Sequence, residues 1–131
     1  MAMNDFEAPI FDALADALDE LYDGITVVSA DLPSTPRFPT VSLNMVDASP
    51  DERTSETLDM EPRTVCVFEA QVYSNVSRRQ AKAIAKSCDE LMASWGWRRT
   101  TFERVPPADK TIERYVVRWR GSVDADGMVA R

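Results

Sequence analysis

Six arginines between residues 98 and 120 are the side chains best suited to binding another molecule. They lie in two strand-like segments, at Arg98, Arg99 and Arg104 and at Arg114, Arg118 and Arg120. Guanidinium groups bind phosphates and carboxylates through paired hydrogen bonds, so this set predicts contact with phosphate or with an acidic protein surface. The alternative is a solvent-facing ladder balanced by Glu69, Glu103 and Glu113 across the sheet, each pair contributing about 0.2–1 kcal/mol. We favour a protein contact over nucleic acid, because the chain as a whole is negatively charged.

Other kinds of site are disfavoured by residue type and spacing. The 131-residue chain contains no histidine, the commonest general base and metal ligand. Its glycines, Gly24, Gly96, Gly121 and Gly127, are scattered rather than grouped in a phosphate-binding loop. The acidic segment 49–52 lacks the spacing of a calcium loop. We therefore expect no enzymatic activity, no cofactor and no metal.

The two cysteines, Cys66 and Cys88, both fall on predicted apolar faces. A disulfide between them is conceivable if the predicted helix packs on the predicted strand. A reducing compartment favours buried free thiols instead, and we prefer that interpretation.

Charge is distributed unevenly along the chain, whose net charge is −7. Residues 1–62 carry fourteen acidic and two basic side chains, whereas residues 63–120 carry twelve basic and six acidic ones. Both halves could simply be solvated. The same asymmetry suits a head-to-tail ring, in which the acidic flank of one subunit meets the basic flank of the next.

Composition predicts a single globular domain that remains in the cytoplasm in which it is made. Hydrophobic residues make up 44% of the chain and charged residues 28%. No apolar run approaches the roughly 18 residues of a membrane span, and the acidic N-terminal segment does not resemble a secretory signal. The negative net charge also argues against binding to anionic membranes.

The segment Arg63–Gly96 predicts a strand followed by a helix. Its first part alternates between apolar and more polar positions, as a strand with two different faces does. Its second part places seven apolar residues on one helical stripe: Ala81, Ile84, Ala85, Cys88, Leu91, Met92 and Trp95. Ser77 is placed to cap the start of this helix, and Gly96 follows its end.

The remaining periodic segments predict one further helix and four further strands. They are the helix Asp5–Tyr22 and the strands Ile25–Ser29, Thr40–Asp47, Trp97–Val105 and Thr111–Val123. The charged segment Ala48–Pro62 is predicted to be a long loop, which is either a solvated hairpin tip or a segment that orders against a partner. We expect one domain over residues 1–123 and a flexible tail over residues 124–131.

The predicted order α-β-β-β-α-β-β indicates an α+β fold. The economical arrangement is a two-layer sandwich, with a mainly antiparallel sheet of about five strands and both helices on one face. The predicted core consists of Leu14, Leu18, Leu21, Val41, Leu43, Phe68, Val72, Ile84, Cys88, Leu91, Trp95, Tyr115, Val117 and Trp119. The opposite face combines apolar residues such as Val65 with arginines, a mixture that commonly marks an interface.

Four segments together resemble a known family. They are RFPTVSL at Arg37–Leu43, VYSN at Val72–Asn75, GWRRT at Gly96–Thr100 and TIERYVVRWR at Thr111–Arg120. In this sequence of turns and strands the chain resembles the tail terminator or tail-completion proteins of long-tailed phages, sometimes labelled minor capsid proteins. The resemblance covers residues 25–123, whereas the acidic N-terminus and the last residues do not belong to it.

The resemblance implies a structural virion protein at the head-proximal end of the tail, assembled in the host cytoplasm. Such proteins form hexameric rings that cap the tail tube and join it to the head–tail connector, and genomic DNA passes through the lumen without specific binding. The subunit or tube interface is predicted to include Val67, Gln71, Tyr73, Arg98, Arg114, Val116, Arg118 and Arg120, together with Asp51, Glu52 and Arg53 of the long loop. A small cytoplasmic adaptor or regulatory domain that binds proteins through its sheet is the alternative, and an enzyme of unfamiliar type is disfavoured.

Overall fold

The computed structural model describes residues 7–29, 37–50, 63–106 and 111–123. These residues form two helices and five strands in the predicted order α-β-β-β-α-β-β. The helices are α1 (Glu7–Leu21) and α2 (Arg78–Ser94), and the strands are β1 (Thr26–Val28), β2 (Thr40–Pro50), β3 (Thr64–Ser74), β4 (Arg98–Val105) and β5 (Glu113–Val123). Neither described helix is long and apolar enough to cross a membrane. The predicted α+β class is confirmed.

The strands form one mixed sheet in the order β1-β2-β3-β5-β4. β1 runs parallel to β2, and every other neighbouring pair is antiparallel. β3 lies at the centre and pairs with β5 without a register shift, from Thr64 opposite Val123 to Ser74 opposite Glu113. This long regular pairing places alternate side chains of both strands on the same two faces, so β3 and β5 dominate both sides of the sheet.

β2 is longer than its sequence pattern predicts. It continues to Pro50, and Ala48 lies opposite Cys66. A register shift between Met45 and Asp47 inserts one extra residue and reverses the alternation, which hides the end of the strand from a periodicity search. The prediction that the loop begins at residue 48 is therefore wrong. Residues 51–62, including the predicted interface positions Asp51, Glu52 and Arg53, lie outside the described residues, as does the predicted tail at 124–131.

Helix α2 begins and ends as its sequence predicts. The Ser77 side chain accepts a hydrogen bond of 3.0 Å from the Gln80 amide, which satisfies one of the free amides of the first turn. Gly96 has a φ of +95°, a left-handed conformation that costs little without a Cβ atom. The Trp97 amide then bonds the Met92 carbonyl at 3.0 Å and leads the chain into β4.

The core lies between the sheet and the two helices. Five of the seven residues on the apolar stripe of α2 are fully buried, whereas Leu91 and Trp95 lie at its margin and are only partly buried. The ring of Phe68 packs edge-on against Trp97, with 5.0 Å between the ring centroids. Leu21, in contrast, is 59% exposed, so its predicted place in the core is wrong. Helix α1 ends at Leu21, and it is the next residue, Tyr22, whose hydroxyl reaches Ser87 of α2 at 2.6 Å.

Candidate interaction face

The side of the sheet opposite the helices, here termed the outer face, carries the predicted interface residues. It includes Val65, Val67, Glu69, Gln71 and Tyr73 of β3, Arg114, Val116, Arg118 and Arg120 of β5, Arg98, Thr101 and Glu103 of β4, and Ser42, Asn44, Asp47 and Ser49 of β2. Within the described ranges, no helix or strand packs over this surface. The structure thus brings together all eight sheet residues that the sequence predicts for the interface.

A row of hydrogen bonds runs along the centre of the outer face. Arg118 donates from Nε to the Glu69 carboxylate at 2.7 Å, and Arg118 Nη2 lies at the same distance from it. Gln71 donates to the other oxygen of Glu69 at 2.7 Å, and the Tyr73 hydroxyl donates to the Gln71 carbonyl oxygen at 2.6 Å. These bonds hold the side chains in one arrangement, so the outer face presents a fixed polar pattern to solvent.

Arg114 is held on this surface with part of its hydrogen-bonding capacity unused. One terminal nitrogen donates to Gln71, and the guanidinium carbon lies 5.5 Å from the centre of the Tyr73 ring. Arg114 Nε is buried and has no hydrogen-bond partner among the described residues. A buried donor without a partner costs free energy in the folded protein.

The same side chains line a cleft of about 430 Å³. Its walls are formed by Glu69, Gln71, Thr101, Glu103, Arg114, Val116 and Arg118. Val116 is only 8% exposed although no described helix covers it, because long polar side chains surround it. Two carboxylates and two guanidinium groups around a small apolar floor suit a polar segment of another protein better than an apolar small molecule.

One end of the outer face carries an unbalanced pair of positive charges. Arg98 and Arg120 are directly opposite each other on adjacent antiparallel strands, and both are exposed. Neither forms an ion pair within the described residues. Like charges in this position repel, and a carboxylate from another molecule would relieve the repulsion.

The structure divides the six arginines of the sequence between the two sides of the sheet. Arg99 and Arg104 lie on the side that faces the helices and not on the outer face. Arg99 bonds Asp89 of α2 at 3.1 Å, and Arg104 bonds Glu113 at 2.9 Å. A register shift between Arg99 and Thr101 adds one residue to β4 and moves Arg104 to the opposite side from Arg98. Grouping all six arginines as one constellation is therefore wrong.

Glu113 likewise does not balance the arginines of the outer face. It accepts hydrogen bonds from Nε and Nη2 of Arg104, and the Arg78 guanidinium of α2 lies 3.9 Å away. The hydrogen bond from Arg104 lowers the pKa of the Glu113 carboxyl, and the same bond raises the pKa of Arg104. Of the three predicted balancing acids, Glu69 alone forms an ion pair with an arginine of the outer face among the described residues.

Asp89 is a structural anchor that sequence analysis missed. It accepts from the Trp119 indole at 3.0 Å and from Arg99 at 3.1 Å, which ties α2 to β5 and β4. The signal that could have found it is the indole of Trp119, since most buried indole nitrogens have an acceptor.

The two cysteines are buried, and no disulfide joins them, as predicted. Burial raises the pKa of Cys66 to about 11 and that of Cys88 to about 12, so both thiols are protonated at neutral pH. In the described part of the chain, no three cysteine, aspartate or glutamate side chains are placed to hold a metal ion.

Comparison with known proteins does not extend these observations. No protein-family model matches the chain, and no curated protein matches it in sequence. The resemblance to phage tail proteins therefore depends on the four segments described above, and the interface role of the outer face stays a prediction.

Proposed function

We propose that this protein is a structural subunit of a phage tail, a tail terminator or tail-completion protein. In this role it forms a ring that caps the tail tube and joins it to the head–tail connector. The sequence resemblance over residues 25–123 supports the proposal, and so does the separation of acidic and basic residues along the chain. No catalytic step is part of it.

The observation that carries the proposal is the outer face with its partly unsatisfied arginines. Arg98 and Arg120 lie opposite each other, are exposed and have no ion-pair partner within the described residues. An acidic protein surface supplies carboxylates to Arg98 and Arg120, both of which are exposed. Nucleic acid fits less well, because Glu69 and Glu103 line the same cleft and would repel a phosphate backbone.

The outer face would then bind the tail tube, the connector or a neighbouring subunit. In such a contact Val116 and the half-buried Val67 and Tyr73 supply the apolar centre, and the arginines of β5 form charged hydrogen bonds around it. Residues at the centre of an interface contribute most of its binding energy, whereas charges at the rim mainly govern orientation and rate.

The oligomeric state is the first test. Size-exclusion chromatography with light scattering and negative-stain electron microscopy should show ring-shaped particles with the mass of six subunits. A protein that stays monomeric at high concentration, and whose gene does not lie between connector and tail-tube genes, would instead favour the adaptor alternative.

The second test addresses the outer face itself. We expect the double variant Arg114→Glu/Arg118→Glu to fail to assemble onto tails, because it places acids where the proposed partner is acidic. Arg37→Glu is the matched control, since Arg37 is exposed and lies outside the outer face. Tails examined by electron microscopy should carry the control variant but not the double variant. Equal assembly by both variants would remove Arg114 and Arg118 from the interface.

A further inference from the structure

The charged side chains of the outer face differ between its two halves. The half formed by β2 and β3 carries two acids, Asp47 and Glu69, and no basic residue within these strands. The half formed by β5 and β4 carries one acid, Glu103, and four arginines. The first half therefore has a charge of −2, and the second, with four positive charges and one negative, has +3. The outer face is acidic along one side and basic along the other.

One row of residues across the sheet shows this division. Asp47 of β2 lies opposite Val67 of β3. Arg120 of β5 is next in the row, on the other side of Val67, and Arg98 of β4 ends it. Neighbouring strands lie about 4.8 Å apart, so the backbone positions of Asp47 and Arg98 are separated by roughly 14 Å. Both side chains are exposed, and neither forms an ion pair in the described part of the chain.

A second copy, turned by half a revolution about an axis parallel to the strands, complements this pattern. With the axis midway between β3 and β5, β2 of each copy faces β4 of the other, and β3 faces β5. Asp47 of each copy then faces Arg98 of the other. Glu69 faces Arg118, so the ion pair within each chain joins a group of four alternating charges. Facing sheets keep their strand directions within about 30° of each other, so opposing rows stay close near the axis.

The outer face has the area of a weak but specific contact. Its four strands β2, β3, β5 and β4 span about 19 Å at a spacing of about 4.8 Å, and the eight residues of β4 extend about 26 Å. These dimensions give roughly 500 Å² for each copy, or roughly 1,000 Å² in total. Specific contacts between proteins begin near this total area, and those below about 1,200 Å² are typically transient. The expected complex is a dimer that dissociates on dilution.

We infer that the outer face of one copy binds the outer face of a second copy, in a two-fold dimer of the free protein. A two-fold contact uses the same surface on both subunits, so it closes at two subunits and does not extend into a ring. The inference does not rest on the proposed function. If both hold, the dimer covers the face that is proposed to bind the tail, so a subunit leaves its dimer when it joins a tail.

The test exchanges the charges at the two ends of the row. In Asp47→Arg an arginine faces Arg98 of the second copy, and in Arg98→Asp an aspartate faces Asp47. Each repulsion occurs twice in a two-fold dimer, so each single variant should dimerise at least about tenfold more weakly than the wild type. The double variant Asp47→Arg/Arg98→Asp should recover dimerisation, because the exchanged charges face each other again. An equimolar mixture of the two single variants should form a one-to-one dimer for the same reason.

Sedimentation velocity of the full chain, over a dilution series, measures the dimer dissociation constant of each protein. The matched controls are Asp16→Arg and Arg79→Asp, which make the same charge changes at exposed positions of the two helices. Both controls should dimerise as the wild type does, since neither residue lies on the outer face. Dimerisation of the wild type should also weaken near 0.5 M salt, where the Debye length falls below roughly 5 Å.

Three outcomes overturn the inference. The wild type remains monomeric at millimolar concentration or forms rings without a dimer, the single variants dimerise as well as the wild type, or the double variant and the mixture do not recover dimerisation although circular dichroism shows that they are folded. Asp47→Asn or Arg98→Gln replaces a single variant that does not fold, with a smaller expected loss of dimer.

Assembly onto tails tests the proposed function separately. Tails that carry the protein although it forms no dimer would support the proposed function and overturn the inference. A dimer that responds to the charge exchange as expected, in a protein that does not assemble onto tails, would support the inference and not the proposed function.

Discussion

The two faces of the sheet are built from alternate residues of the same strands, yet different interactions hold them. On the helix-covered face, Phe68 and Trp119 lie opposite each other and are fully buried. On the outer face, the next pair along the strands is Glu69 opposite Arg118, joined by a charged hydrogen bond. The volume and shape of the side chains determine how the helix-covered face packs, whereas paired hydrogen bonds hold the side chains of the outer face in place. A residue's face therefore determines how much its substitution should cost.

Burial alone does not separate the two faces. Val116 on the outer face is 8% exposed, and Tyr115 on the helix-covered face is 6% exposed. Ion pairs also occur on both sides, with Glu69–Arg118 on the outer face and Glu113–Arg104 at the margin of the helix-covered face. The two faces differ in what covers their residues. Helices cover the helix-covered face, and long polar side chains cover the outer face.

The largest expected difference in stability is between alanine substitutions of two neighbouring residues that lie on opposite faces. Phe68→Ala should lower the free energy of unfolding by about 3–5 kcal/mol, because it leaves a cavity beneath Trp97. Val67→Ala, one residue away on the half-buried outer face, should cost less than about 1 kcal/mol. Urea unfolding followed by tryptophan fluorescence measures both values. Equal losses would show that the two faces are packed alike.

Gly121 tests how closely the helix-covered face is packed. A Cβ atom at this position would lie 2.7 Å from Cε3 of the Trp97 ring, closer than carbon atoms can approach. Gly121→Ala should therefore destabilise the protein by about 1–3 kcal/mol. In a Trp97→Leu background the same change should cost much less, because the clashing ring is absent. If Gly121→Ala destabilises the Trp97→Leu variant just as much, the glycine is required by the backbone and not by contact with the Trp97 ring.

The ion pair of the outer face should contribute less than either packing effect. A double-mutant cycle with Glu69→Gln and Arg118→Ala should give a coupling energy of about 0.2–1 kcal/mol, because the arginine side chain is 49% exposed. The coupling should shrink further in high salt, as screening requires. A coupling well above this range, measured by urea unfolding, would show that the polar row acts as a cooperative unit.

The ion pair at the margin of the helix-covered face should produce a pH dependence. The hydrogen bond from Arg104 lowers the pKa of Glu113, so its stabilising effect is present above the unfolded-state pKa of about 4.3 and is lost as pH falls through the folded value. Glu113→Gln should lose less stability than the wild type on acidification. Arg104→Gln should flatten the pH dependence similarly, since it removes the same bond. Denaturation midpoints measured across acidic pH test both variants.

Most of the fold is predictable from local patterns, because helices and strands impose different periods on the same apolar residues. The cap at Ser77 and the left-handed Gly96 follow from residue type alone. The errors occur where one extra residue enters a strand, at Val46 in β2 and near Thr100 in β4. An extra residue reverses the alternation beyond it, and it forms because of the partner strand, which the local pattern does not contain.

The sequence by itself determined the element order, the caps of α2, the apolar stripe of α2 and the unequal distribution of charge, because each depends on residues that are near in the chain. The tertiary structure decided the parallel pairing of β1 with β2, the division of the arginines between two faces and the exposure of Leu21. These features depend on which distant segments pack together, and that choice minimises the free energy of the whole chain rather than of any one segment.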